Sequence, residues 1–136
     1  MCGLWLFSLN FIFNSLLNIQ LLSSIFDEVR KEAGADIESQ GISLLFHVMN
    51  HDPDPLLVKE LQALVQISHG SVIRNLRVLG SEDDHPRGGE CKHLIKTFTD
   101  TKDRRRKLVM LSHKGRQLRK RVLSILAEYN RGLSTE

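Results

Sequence analysis

HLIKTFTDTKDRRRKLVMLS, residues 93–112, is the segment with the clearest structural signal in this chain of 136 residues. Its two ends, 93–99 and 107–111, have the composition of short β-strands. Between them lies a polar and basic stretch, Asp100-Thr-Lys-Asp-Arg-Arg-Arg106, which is typical of the tip of a hairpin. Ser112 comes next and is suited to cap a final helix. The segment therefore predicts a basic two-stranded hairpin followed directly by a helix.

Two short helices joined by a tight turn are predicted upstream of this hairpin. Asp54 is a natural N-cap for the first helix, and Pro55 suits its first helical position. That helix would place four apolar side chains on one face: Leu57, Leu61, Leu64 and Val65. It is expected to end near residues 66–67, where Ser68 can cap the second helix.

The second helix, from about residue 69 to 79, has an apolar face and a polar face. The apolar face is expected to be buried through Val72, Ile73, Leu76 and Leu79. The outward face holds side chains that can bind nucleic acid: His69, Ser71, Arg74, Asn75 and Arg77. Two such helices are typical of a helix-turn-helix, although an ordinary helical hairpin would give a similar pattern.

The first half of the chain predicts two further helices. A short one would bury Leu44, Leu45, Val48 and Met49. Before it, residues 4–26 contain no charged side chain, and their apolar residues form two helical stripes. One stripe consists of Trp5, Leu9, Ile12, Leu16, Ile19 and Phe26, and the other of Leu6, Phe13, Leu17 and Leu21. Two stripes on one helix need two partners, so residues 1–32 are predicted to form a dimerisation helix.

The same N-terminal stretch is long enough for a membrane span, which is the alternative interpretation. Eight Ser, Asn or Gln residues interrupt residues 4–26, no basic segment precedes them, and no small-residue cleavage site follows them. We therefore expect no membrane contact.

Charge is distributed unevenly along the chain. The net charge is +3, but residues 1–60 hold three Lys or Arg against eight Asp or Glu. Residues 92–121 hold twelve basic side chains, opposed only by Asp100 and Asp103. A segment this basic is expected of a surface that binds a polyanion, although a solvated charged face would look the same.

The predicted order of elements is that of a winged helix. The expected fold is mainly α (α+β), a winged helix-turn-helix with a long N-terminal dimerisation helix and a two-stranded β-wing. Residues 42–112 would bind DNA, and the C-terminal helix, 113–136, would contribute to the dimer. In this arrangement a helix reads base edges in the major groove while an arginine at the hairpin tip enters the minor groove.

Two motifs in this order resemble the MarR family of bacterial transcriptional regulators. Asp103-Arg-Arg-Arg-Lys-Leu-Val-Met-Leu-Ser112, followed by His113-Lys-Gly115, is similar to the family's wing: an Asp-x-Arg turn, a strand, a Leu-Thr/Ser cap and an early glycine. Ile67-Ser-His-Gly-Ser-Val-Ile-Arg-Asn-Leu76 is similar to the family's recognition helix. With a weaker match over residues 56–65, the resemblance covers about residues 42–120.

The resemblance implies roles for individual residues. Arg105 would be the minor-groove arginine, Asp103 would brace it by a salt bridge, and Arg104 would lie at the same tip near the DNA backbone. Ser71 and Arg74 would face the major groove. From the residues alone, the predicted DNA-binding set also includes Ser68, His69, Asn75, Arg77, Lys102 and Arg106.

Two departures from the family pattern bear on the dimer. About ten extra residues, near 82–91, separate the recognition helix from the wing, and the C-terminal helix is shorter than usual. Both are expected to alter the dimer geometry and the effector pocket more than DNA binding. Arg119, Lys120 and Arg121 are expected on a solvated face of the last helix.

No motif in the sequence supports catalysis. There is no phosphate-binding glycine loop and no nucleophile with a predicted base, the two cysteines form no CxxC pair, and the six histidines lack metal-ligand spacing. We expect no enzymatic activity, no metal and no cofactor, and a cytoplasmic location.

The sequence thus predicts a homodimeric regulator of transcription that binds double-stranded DNA at a pseudo-palindromic operator, most simply as a repressor. A small-molecule effector would be a further partner. Two alternatives stay open: a winged helix used for protein–protein assembly or replication with non-specific nucleic-acid binding, and a membrane-associated protein anchored by residues 4–26.

Overall fold

A computed structural model describes residues 2–81 and 91–134, and their side chains except those of residues 2–8, 10–17 and 133–134. The elements follow in the order α1 (Cys2–Ala33), α2 (Ser39–His51), β1 (Leu56–Leu57), α3 (Val58–Val65), α4 (His69–Leu79), β2 (Ile95–Thr99), β3 (Lys107–Leu111) and α5 (His113–Ser134). The predicted class, mainly α with a small β-wing, is confirmed. The extra segment predicted near residues 82–91 lies outside the described residues except for Cys91, and so do most side chains of the two apolar stripes.

The wing is part of a three-stranded antiparallel sheet rather than a separate hairpin. Strand β3 lies in the middle, with β2 on one side and β1 on the other, so that Val109 is opposite both Thr97 and Leu56. The predicted helix start at Asp54 and Pro55 is wrong, because Leu56 and Leu57 pair with β3 instead. Helix α3 begins at Val58, and the Leu57 backbone N–H donates to Glu60 Oε2 at 3.3 Å. A two-residue strand has no periodicity of its own, which is why the sequence did not indicate it.

The core is formed where α2, α3, α4 and α5 pack against the strands and α1 packs against α5. The predicted inward residues of α2 are all buried, namely Leu44, Leu45, Val48 and Met49. In α3, Leu61 is fully buried but Leu64 is 46% exposed, since the helix has only eight residues and its end projects from the core. In α4, Val72, Leu76 and Leu79 are buried and Ile73 is half-buried.

Helix α5 begins where it touches the start of the wing. Ser112 caps it as predicted, because Ser112 Oγ accepts the Gly115 N–H at 3.0 Å and donates to the His93 carbonyl. The Ser112 N–H donates to the Leu94 carbonyl at 3.0 Å. A Cβ on Gly115 would overlap that same Leu94 oxygen. Only glycine therefore lets α5 pack this closely against the strand, which gives a physical reason for the glycine of the wing motif.

Helix α1 extends well beyond the core. Its C-terminal part is anchored by Val29 and Ala33, which are fully buried, whereas Leu9, Ile19 and Leu22 are exposed. Tyr129 of α5 donates a hydrogen bond to the Asn18 side chain. The exposed leucines and isoleucine are apolar surface without a partner within the described part of the chain. No helix described here has both the length and the apolarity needed to cross a bilayer.

Candidate nucleic-acid interface

Helix α4 has the bounds and the cap that the sequence predicted. Gln66, in the left-handed conformation with φ 58°, ends α3, and its N–H donates to the Gln62 carbonyl at 3.0 Å. Ser68 then caps α4, since its Oγ accepts the Ser71 N–H at 3.2 Å. The two serine hydroxyls lie 2.9 Å apart. Ser68 and Ser71 thus stabilise the first turn of α4 as well as lying on its accessible end.

The outer face of α4 differs from the prediction at one residue. His69, Arg74 and Arg77 are exposed and Ser71 is half-buried. Asn75, predicted on the outer face, is only 6% exposed. Its Nδ2 donates to the Ser71 carbonyl at 2.9 Å, and its Oδ1 lies so close to Gly41 that a Cβ there would be 2.9 Å away. The prediction that Asn75 faces outward is therefore wrong: its amide packs α4 against α2.

The tip of the wing is a tight polar turn. The Asp103 carboxylate accepts the Arg105 N–H at 3.0 Å, and the Asp103 carbonyl accepts the Arg106 N–H at 3.0 Å. Among the described contacts, Asp103 makes no ion pair with the Arg105 guanidinium, so the expected salt-bridge brace is wrong in form. The carboxylate instead shapes the backbone that carries Arg105, because the turn needs an acceptor at this position.

The cations of the tip are not equivalent. Arg104, Arg105 and Lys102 are exposed, and the Lys102 N–H donates to Asp100 Oδ1 at 2.9 Å. Arg106 Nη1 lies 3.8 Å from Asp100 Oδ2 at the base of the turn. All three arginines of the tip are thus exposed, but Arg106 is partly neutralised while Arg104 and Arg105 have no ion pair among the described contacts.

A groove joins the wing to the helix-turn-helix. It has a volume of about 730 Å³ and lies between the start of α3, the outer side of α4 and the hairpin tip. Within it, His69 Nδ1 is 3.2 Å from Gln62 Oε1. Its lining combines an apolar floor with four cations, and the residues are Leu57, Val58, Lys59, Gln62, His69, Ile73, Arg105, Arg106 and Lys107. The structure therefore brings the predicted residues His69, Arg105 and Arg106 to one groove and adds Lys59 and Lys107.

The basic residues of α5 have a different environment from the one expected. Arg119 Nε donates to the Met49 carbonyl at 2.9 Å, and Arg116 Nε lies 3.0 Å from Asp52 Oδ1. Arg121 lies 2.8 Å from Glu28 Oε1 and 2.9 Å from Glu32 Oε1. The expectation of a solvated face is wrong for Arg119 and Arg121, because they bind α2 and α1, whereas Lys120 between them is exposed as expected.

The ion pairs of α1 also affect the protonation of one of its carboxylates. The hydrogen bond from Lys31 Nζ has the largest effect and holds the pKa of Glu28 below its ordinary value. Burial opposes it as the next largest effect, and the hydrogen bond from Arg121 lowers the pKa further. The acidic N-terminal half thus neutralises α5 directly.

Sequence reasoning missed two acidic contacts of this region. Glu38 lies 3.3 Å from the guanidinium of Arg74, and Asp36 lies 4.0 Å from Lys92 Nζ. The sequence placed both residues in the connector that contains Gly34, and this connector has no periodic pattern that would predict their contacts. Within the described part of the chain, His, Cys, Asp and Glu form no group of three or more that could hold a metal ion.

The elements and their order define a winged helix-turn-helix, with a long helix on either side of the winged unit in the chain. Solved structures share this architecture across most of the chain. One is the S. aureus MepR–DNA complex, 22% identical with a TM-score of 0.62, which covers 92% of this chain and 90% of that one. Another is S. aureus MepR bound to ethidium bromide, 20% identical with a TM-score of 0.61, covering 93% and 80%.

MarR itself is also similar, at 20% identity and a TM-score of 0.52, covering 89% of this chain and 80% of MarR. No protein-family model matches the chain, and no curated protein sequence matches it. The chain has the winged-helix fold of MarR and MepR, so the resemblance drawn from two motifs is confirmed at the level of the fold.

Proposed function

We propose that this protein is a sequence-specific DNA-binding regulator of transcription that acts as a homodimer on a pseudo-palindromic operator. The observation that carries the proposal is the groove between α4 and the wing tip. It brings His69 of α4 together with the cations Lys59, Arg105, Arg106 and Lys107. Arg74 and Arg77 of α4 and Arg104 of the tip are exposed as well. Repression by occlusion of a promoter is the simplest outcome of such binding.

The proposed mechanism assigns one groove of DNA to each element. The major groove is about 12 Å wide and admits a helix, so α4 would present Ser71, Arg74 and Arg77 to base edges and phosphates. Arg105 would enter the adjacent minor groove, where the negative potential is enhanced if the groove is narrow. Lys59 and Lys107 would bind phosphates and set the register. We leave Asn75 out of this set because of its burial.

The exposed apolar residues of α1 and α5 are the observation in favour of a dimer. Leu9, Ile19 and Leu22 of α1 and Leu123 of α5 are all large and exposed. A second copy related by two-fold symmetry would cover such a surface and place two α4 helices about one turn of DNA, roughly 34–36 Å, apart. The half-sites of the operator would then form an inverted repeat.

We propose that a small-molecule effector occupies the cavity of about 570 Å³ between α1 and α2. Phe26 and Phe46 form one wall, with ring centroids 6.0 Å apart at 89°, and Ser43, His47 and Asn50 provide polar groups. The effector class this lining favours is a planar apolar molecule with few polar atoms. Phe46→Ala should abolish the effect of such a ligand on DNA binding while leaving binding of the free protein unchanged; an unchanged ligand effect would refute this cavity.

The test of the function is selection of bound sequences from a random duplex library at near-physiological salt. Enrichment of an inverted repeat would support a sequence-specific dimer. Binding without enrichment, with a steep dependence on salt, would indicate only an electrostatic binder. Failure to bind would refute the proposal. Arg105→Ala should lose the enrichment, whereas Arg121→Ala, which removes the same charge from α5, should keep it.

A further inference from the structure

The candidate recognition helix is held by an acidic residue from outside the helix-turn-helix. Arg74 Nη2 lies 3.3 Å from Glu38 Oε2 and donates a hydrogen bond to it. The two residues are 36 positions apart in the chain, and their side chains are 62% and 58% exposed. The pair therefore lies on the surface, where ion pairs are weak because both groups are solvated.

The position of Glu38 makes this contact notable. Glu38 is the N-cap residue of α2, yet its side chain accepts no hydrogen bond from the α2 backbone. Its carboxylate extends across to α4 instead. Asp36, two residues earlier, lies beside Lys92 and lines a small cavity of about 190 Å³ together with Glu38 and Arg74. The connector between α1 and α2 thus places two carboxylates along the flank of α4.

Glu38 competes with DNA for Arg74. The guanidinium has five N–H donors, and the one now given to Glu38 is on Nη2, a nitrogen that bidentate contacts with a base edge or a phosphate also use. An approaching phosphate would also be repelled by Glu38 at this distance. A complex in which Arg74 turns toward DNA therefore weakens or opens this ion pair.

We infer that Glu38 is a positioning residue that competes with DNA for Arg74 and so lowers the affinity of the protein for DNA. This inference rests on the proposed function. Because exposed ion pairs are weak, the expected effect is modest: Glu38→Gln should tighten DNA binding about two- to fivefold for each subunit. The gain should come through Arg74 and not through the general loss of a negative charge.

A double-mutant cycle tests this. Equilibrium binding to one duplex is measured for the wild type, Glu38→Gln, Arg74→Ala and the double variant, at a salt concentration where Arg74→Ala still binds. Glu128→Gln is the matched control, since it removes the same charge from an exposed position on α5. Circular dichroism checks that every variant is folded.

The expected result is that Glu38→Gln tightens binding at least twofold in the wild type and has no effect once Arg74 is absent, while Glu128→Gln changes little. Equal tightening in the Arg74→Ala background would mean a general charge effect and would overturn the inference. So would no tightening, or an equal gain from Glu128→Gln. If the wild type fails to bind any duplex, the proposed function fails and this inference with it; if the wild type binds and the cycle shows no coupling, only this inference fails.

Discussion

The tip of the wing and the first half of α5 are both rich in cations, but their cations have different partners. At the tip, Arg104 and Arg105 project outward, and the one ion pair in the described part of the turn joins Arg106 to Asp100. On α5, Arg116 and Arg121 pair with carboxylates of the first half of the chain. The density of basic residues in a sequence therefore does not distinguish a ligand-binding surface from an internal ion-pair network.

The difference follows from where the acidic residues are. The carboxylates that neutralise α5, such as Glu28 and Glu32, come from α1, which packs along it. The tip of the wing meets the carboxylates of its own turn, Asp100 and Asp103, and Asp103 is used by the backbone N–H of Arg105. Folding thus neutralises Arg116 and Arg121 of α5 and leaves Arg104 and Arg105 of the tip without an ion pair among the described contacts, as a polyanion-binding surface requires.

The largest expected effect comes from disrupting the contact between the start of α5 and Leu94, the residue before β2. Gly115→Ala would place a Cβ against the Leu94 carbonyl, so either α5 or the wing must shift, and the free energy of unfolding should fall by about 3 kcal/mol. Chemical denaturation measures this. Gly132→Ala is the control on the same helix, because its Cβ would meet no atom within 4 Å. Equal stability of the two variants would contradict the packing described here.

Next in size is the loss of DNA binding on removing the arginine of the tip. Arg105→Ala should weaken binding to an operator about ten- to a hundredfold, the range of one good groove contact, while the free energy of unfolding stays within 0.5 kcal/mol or so of the wild type. Binding titrations test the loss of affinity, and denaturation curves on the same preparations test the unchanged stability. Unchanged affinity with normal circular dichroism would eliminate the wing from the interface.

Arg121→Ala should lower the free energy of unfolding and leave DNA affinity nearly unchanged, which is the reverse of Arg105→Ala, and its effect should be smaller. It removes the same charge, but from hydrogen bonds to Glu28 and Glu32 that join α5 to α1. Because Arg121 is partly exposed, the expected loss of stability is only about 1 kcal/mol, with DNA affinity nearly unchanged at temperatures where the protein is folded. A loss of affinity as large as that of Arg105→Ala would mean that α5 also contacts DNA, and the distinction between the two regions would not hold.

These regions also show what sequence reasoning could and could not reach. Local signals predicted α4, strand β3 and the caps Ser68 and Ser112 correctly, because each depends on neighbours within a few residues. What it missed depends on long-range packing. Strand β1 exists only because Leu56 lies opposite Val109, and Asn75 is buried only because α2 packs over it. The partners of Arg121 are about ninety residues away in the chain, and no period or motif connects them.

The smallest expected effect is a change of stability with pH, and it tests the ion pairs between α1 and α5. The hydrogen bond from Lys31, and after it the one from Arg121, lowers the pKa of Glu28 in the folded protein, while the unfolded chain regains the ordinary value of 4.5. The unfolded state then binds the proton more readily, so this contribution to stability is complete above pH 4.5 or so and is lost as the pH falls through the lowered pKa.

The wild type should therefore lose stability in this acid range by an amount that Glu28→Gln lacks. Denaturation curves from pH 5 to pH 3 measure it, and Lys31→Ala should reduce the loss more than Arg121→Ala because Lys31 is the larger cause. If Glu28→Gln followed the wild-type curve throughout, the carboxylate would not be bound as described, and the neutralisation of α5 would have to depend on Glu32 and Asp52 alone.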